Sequence, residues 1–150
     1  MIIEYLQTLR DTPQRNFPNE GISETEIAQL EQSYNSGNPF PKVLKELLFL
    51  AGNYCNWLDY SVYDNQQELQ DEVRAELQDI YSETISRPHF IVDTVPDGTF
   101  VFMYLDEGDN PPLYHSNIIT ESNSSEVGKG SLKVLIEKRI QLHLEGYNPF

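Results

Sequence analysis

The sequence predicts an α+β fold, and three observations carry that expectation. A capping box opens a helix at Ser23. Two apolar runs flank the turn residues Val95 to Thr99. The second of those runs, Phe100 to Leu105, is apolar on both faces and so predicts a central strand covered on both sides. A length of 150 residues fits one domain, which at this size typically buries ~70% of its unfolded surface and needs neither metal nor disulfide to fold.

In chain order, residues 1–11 predict a short helix with Ile2, Tyr5, Leu6 and Leu9 at helical spacing. A turn-rich link leads to Ser23, whose partner in the capping box is Glu26, with Ile22 and Ile27 at the two positions of a hydrophobic staple. The next helix has Pro41 in its first turn, an apolar face of Val43, Leu44, Leu47, Leu48 and Ala51, and Gly52 at its C′ position. The aromatic segment Asn53 to Tyr63 predicts one or two short strands. Asp64 to Tyr81 predicts a polar helix whose narrow stripe, Leu69, Val73, Leu77 and Ile80, docks on something larger. A hairpin follows from His89 to Leu105, its turn built on Pro96, Asp97 and Gly98, with Gly98 supplying a positive φ. Pro111 to Asn117 reads as another strand, Ser122 to Gly130 as a loop, and Ser131 to Glu145 as a final amphipathic helix closed by Gly146.

Net charge is −14, and its location matters more than its size. From Asp59 to Glu126 there are fifteen acids and two bases, Arg74 and Arg87, a net of −13. Such a surface repels phosphate backbones, which argues against a nucleic-acid partner, and it steers a cationic protein partner inward. It also simply keeps a protein solvated. One cysteine, Cys55, excludes an intramolecular disulfide and fits a reducing compartment. The first eleven residues carry no basic n-region, and their apolar run is too short for a signal or a membrane span, so the expectation is a soluble, cytoplasmic protein without a membrane partner.

Candidate chemistry is sparse. Asp106, Glu107 and Asp109 supply oxygen ligands, but Gly108 falls third where a calcium loop needs glycine sixth, so no metal site is expected. His115 beside Asp109 is the one candidate for acid–base work, yet no serine stands in a nucleophile elbow and Cys55 has no local signature. His89 begins a strand and His143 flanks the stripe of the last helix. Val127 to Ser131 lacks the first glycine of a phosphate loop. Trp57 and Tyr54, Tyr60 and Tyr63 suit a core better than a base-stacking platform, because no basic residue accompanies them. No catalytic constellation and no cofactor motif emerges, and the chain is expected not to be an enzyme.

Three segments in series resemble the SUKH superfamily. Phe40 to Tyr54 is similar to its Pro-led helix ending at glycine, the strand Phe100 to Leu105 to its central strands, and "LDEGDNPPLYH" to its signature of acids followed by Pro-Pro and an aliphatic-Tyr pair. The capped helix at Ile22 to Glu31 precedes them as it does there, and the likeness covers Ile22 to Asn117. Ala51-Gly52-Asn53 stands where many members have paired glycines, and the acidic helix from Asp64 is an elaboration. The resemblance implies a single domain over residues 1–150, with a mixed, mostly antiparallel sheet, helices packed against it and no catalysis. Bacterial members are mostly immunity proteins that neutralise toxins; fungal relatives are scaffolds regulating cell-wall glucan synthesis. The leading expectation is an immunity protein that occludes a basic toxin domain, a nuclease among the candidates; the alternative is an intracellular scaffold. Asp59, Asp64, Asp106, Glu107 and Asp109 are the expected rim charges, with Tyr60, Tyr63 and Tyr114 as aromatic anchors.

Overall fold

A computed structural model describes residues 1–12, 17–95, 98–117 and 126–150. Helices α1 (Gln7–Asp11), α2 (Glu24–Tyr34), α3 (Lys42–Ala51) and α4 (Gln66–Tyr81) precede strands β1 (His89–Thr94), β2 (Thr99–Tyr104), β3 (Pro112–Asn117) and β4 (Glu126–Ser131), and α5 (Leu132–Leu144) follows. The α+β expectation is met, with a sheet in the order β1-β2-β3-β4. Each neighbouring pair is antiparallel, so the mixed pairing expected of this sheet is absent among the described strands. Parallel neighbours need a long crossover, and sequential strands joined by short reversals leave no room for one.

Side chains alternate across the two faces of a strand, and β2 exploits both. Val101 and Met103 join Phe90, Val92 and Leu113 in the main core beneath α2, α3 and α5. Phe100 and Phe102 point the other way and, with Ile91, meet Leu69, Val73 and Leu77 of α4. In the connecting turn Val95 N–H donates to Thr99 O at 2.9 Å and Gly98 adopts φ +84°; Pro96 and Asp97 lie outside the described residues.

Local signals place α2 as expected. Ser23 Oγ accepts from Glu26 N–H at 3.2 Å, and the Glu26 carboxylate returns to Ser23 N–H at 2.8 Å. At α3, Pro41 is the N-cap rather than a first-turn residue. Gly52 has φ −70°, an ordinary helical value, so it is not a left-handed C′ residue. It is required for space: a Cβ there would meet Leu48 O at 2.5 Å.

Three segments depart from expectation. Residues 1–6 are not helical, because the buried Glu46 carboxylate on α3 takes the amides of Glu4, Tyr5 and Leu6 at 2.8, 2.8 and 2.9 Å. Ile2 consequently stands 80% exposed while Leu6 and Leu9 are buried. Residues 53–63 form no strand beyond a bridge between Tyr54 and Glu20. Their backbone amides are taken by side chains instead: Asn56 N–H donates to Asn19 Oδ1 at 2.8 Å, and Asp59 N–H donates to Asp93 Oδ1 at 2.6 Å. Residues 126–130, expected as loop, belong to β4, which also takes in Ser131, expected as the start of the last helix; pairing with β3 overrides two glycines of low strand propensity. The remainder of that expected loop lies outside the described residues.

The 53–63 segment is locked by a buried ion pair. Arg139 on α5 donates to Asp93 at 2.7 Å and to Trp57 O at 2.8 Å, and the Asp93 side chain is fully buried. One carboxylate thereby joins β1, the loop and the last helix.

Two predictions follow from these buried groups. Glu46→Gln replaces one acceptor oxygen with an amide NH2 facing backbone donors, so it should cost about 2–3 kcal/mol. Urea unfolding should show a lower midpoint with an unchanged slope. His89 is buried, with Nδ1 2.9 Å from Arg87 O; a carbonyl only accepts, so Nδ1 carries the proton. Burial, then the Arg74 charge, lowers its pKa to about 4. The folded value is depressed below the unfolded ~6.5, so stability held above pH ~6.5 is lost as pH falls toward the folded value, by about 3 kcal/mol in all. His89→Gln should flatten that slope between pH ~6.5 and ~5, read from denaturant midpoints.

Candidate functional site

Helix α4 is capped by Asn65, whose side chain accepts from Glu68 N–H at 2.9 Å. Leu69, Val73 and Leu77 turn inward as the stripe predicts, but Ile80 is 59% exposed. Three polar side chains share the inward face, the first being Gln66, which donates to Gly52 O at 2.8 Å. The fully buried Gln70 donates to Ile91 O at 2.8 Å and accepts from Ile91 N–H at 2.9 Å, so its amide takes the place of a neighbouring strand along β1. Arg74 donates to His89 O at 2.8 Å and lies over the Tyr34 ring at 4.6 Å. Burial lowers its pKa against the pull of Tyr34 and Asp71.

With Arg74 facing inward, the outer surface of α4 carries Glu68, Asp71, Glu72, Glu76 and Asp79, all exposed. Glu68, Glu72 and Glu76 stand four residues apart, on one stripe of the helix. Among the described residues none of these five acids is in an ion pair. Tyr63 lies beside the stripe: burial raises its hydroxyl pKa first, and Glu76, Glu72 and Glu68 raise it further.

The eight expected binding residues do not share one face. Asp59, Tyr63 and Asp64 gather near the start of α4 and the β1–β2 turn; the Asp59 carboxylate accepts from Ser61 N–H at 2.6 Å. Asp64 N–H donates to the Glu68 carboxylate at 2.7 Å. Asp106, Glu107 and Tyr114 lie at the far end of β2, about 17 Å away along a strand of this length. There they are engaged already. Arg87 pairs with Asp106 and, at 3.0 Å, with Glu107, and it covers the Tyr104 ring at 4.1 Å. The Arg87 hydrogen bond holds the Asp106 carboxyl below its ordinary range. Tyr114 donates to Glu107 at 3.1 Å and packs on Tyr104, 4.7 Å between ring centres. Asp109 is exposed, and its carbonyl accepts from Val43 N–H at 3.0 Å at the start of α3. Tyr60 is turned inward with its hydroxyl on Ala51 O at 2.9 Å, between the two cores.

Sequence reasoning named the acidic helix but none of its five outer acids. Their signal was the four-residue spacing of Glu68, Glu72 and Glu76 with Arg74 as the helix's lone base. His115 is exposed on β3 opposite Val101 and forms no ion pair with Asp109. Cys55 is buried and its thiol is pushed up to about 12, which makes it a poor nucleophile. Among the described residues no group of three or more His, Cys, Asp or Glu is placed to hold a metal ion. No helix among them is long and apolar enough to cross a membrane. Comparison of the chain with protein-family models, curated proteins and solved structures found no match.

Like charges four apart on a helix cost about 0.2–0.5 kcal/mol per pair, and a Glu–Lys pair gains as much. Glu72→Lys exchanges two repulsions for two attractions, so it should raise stability by about 1 kcal/mol at low salt. The gain should largely vanish in about 1 M salt. Urea midpoints at the two salt concentrations read both effects.

Proposed function

We propose that this chain is a non-catalytic binding protein that engages a cationic protein through the outer face of α4. The observation that carries the reading is the stripe of Glu68, Glu72 and Glu76, flanked by Asp71 and Asp79, with no basic partner on its own chain among the described residues. A surface of one sign raises the rate of encounter with an opposite charge by ~10–10³-fold, and salt weakens it. Joined to the SUKH resemblance, this supports an immunity protein that acts in the cytoplasm, occluding a basic toxin domain, with nucleases among the candidates. The closed cluster at Arg87 makes Asp106 and Glu107 secondary contributors, and α4 the main surface.

Tagged protein incubated with extract of the source cells at low and high salt tests this directly. A basic domain retained at low salt, released at high salt, and lost with Glu68→Gln/Glu72→Gln/Glu76→Gln would support the reading. Retention that ignores both salt and the triple substitution would sink the electrostatic part. Capture of an endogenous wall-synthesis component would move the function to an intracellular scaffold. Protection of cells co-expressing a captured toxin domain separates immunity from simple binding.

A further inference from the structure

A cavity of about 260 Å³ opens where the acidic stripe of α4 meets the β1–β2 turn and the 53–63 segment. Its floor is apolar, built from Val73 and Phe100, both buried. Tyr63 forms a half-buried aromatic wall, and Asp59 and Glu76 supply two carboxylates. Among the described residues no lysine or arginine lines it. The volume falls below the ~300–1,000 Å³ of a small-molecule site, so it suits one side chain better than a cofactor.

The larger cavity, about 640 Å³ between α2, α3 and the chain start, differs in kind. Its two lysines are already matched, Lys42 with Glu4 at 2.7 Å and Lys45 with Glu31 at 3.6 Å. The cavity beside α4 combines an apolar floor, an aromatic face and carboxylates of one sign.

We propose that this cavity receives an arginine side chain presented by a protein partner, its stem on Val73 and Phe100, its guanidinium against Tyr63 and paired with Glu76 and Asp59. This inference deepens the proposed function and rests on it for the identity of the partner. Arginine fits better than lysine for three physical reasons. Its guanidinium is planar and meets a carboxylate through two parallel hydrogen bonds. It stacks on an aromatic ring. It is also more weakly hydrated than an ammonium, so less is lost on entering a partly apolar cavity. Asp59 adds preorganisation, since its carboxylate is already fixed by Ser61 N–H.

The test is a titration of isotope-labelled protein, followed by backbone amide NMR, with the acetylated tripeptide amide Ala-Arg-Ala and its lysine and citrulline counterparts. The arginine peptide should move the amides of Ser61, Tyr63, Glu76, Thr94 and Gly98 saturably. The lysine peptide should bind about threefold or more weakly, and the citrulline peptide, isosteric but uncharged, should not saturate. Glu76→Gln and Asp59→Asn should each weaken arginine binding about fivefold, with an otherwise native spectrum; Glu68→Gln, outside the cavity, should weaken it less. Equal responses to arginine and citrulline would overturn the proposal. So would shifts spread along α4 that ignore Glu76→Gln, or no saturable response. Those failures leave the acidic face of α4 untouched as a partner surface. A cavity that binds arginine, in a protein that captures nothing basic from cell extract, would overturn the partner reading instead.

Discussion

The pairing of Gln70 with the outer edge of β1 is the interaction on which the rest of the surface depends. A strand edge presents unpaired amides and carbonyls, and a buried glutamine amide is costly without partners. Each solves the other's problem: Ile91 N–H and C=O meet Gln70 Oε1 and Nε2 at 2.9 and 2.8 Å. Arg74 repeats the arrangement one turn later on His89 O. Apolar packing alone, through Leu69, Val73 and Leu77, would hold α4 against the sheet with little preference for its exact rotation. The directed bonds from Gln70 and Arg74 fix that rotation, and with it the outward position of Glu68, Glu72 and Glu76.

Two styles of electrostatics therefore coexist. Elsewhere several charges are matched at short range: Asp93 with Arg139, Arg87 with Asp106 and Glu107, Lys42 with Glu4. The Arg87 cluster sits on aromatic rings, so it stiffens the exit from β2 rather than offering free charge. On α4 the one available cation is spent inward on backbone carbonyls, and the acids outside are left to repel one another. Surface charge that served solubility alone would work as well with the signs interspersed.

What was legible in the sequence was local. The Ser23–Glu26 box, the turn at Gly98 and the double-faced β2 are each encoded within a few residues, and each is realised. What was illegible was set by residues far away in the chain. Residues 1–6 have helical spacing, but Glu46, about forty positions on, takes their amides first. The 53–63 segment has strand composition, yet Asn19 and Asp93 divert its hydrogen bonds. β4 has glycines where a strand prefers branched residues, and only its neighbour makes it one. The site followed the same rule. Counting acids gave the sign of the surface, but which acids stay unpaired depends on where Arg74 and Arg87 go, and that is a tertiary fact.

The energetics of α4 fit a helix shaped by something outside its own fold. A helix C-terminus carries partial negative charge and prefers cations in its last turn. Here that turn holds Asp79 and no base, with Glu76 just before it. Ser82 then ends the helix at φ +54°, in the left-handed region that favours glycine. The like-charge stripe, the acidic C-terminal end and the strained cap each subtract from stability by a few tenths of a kcal/mol to about 1 kcal/mol. A cation docked along the outer face would relieve the first two at once. The unbound helix is thus less stable than its length and cap would allow, and the same charges that cost it stability are the ones that would draw a basic partner in.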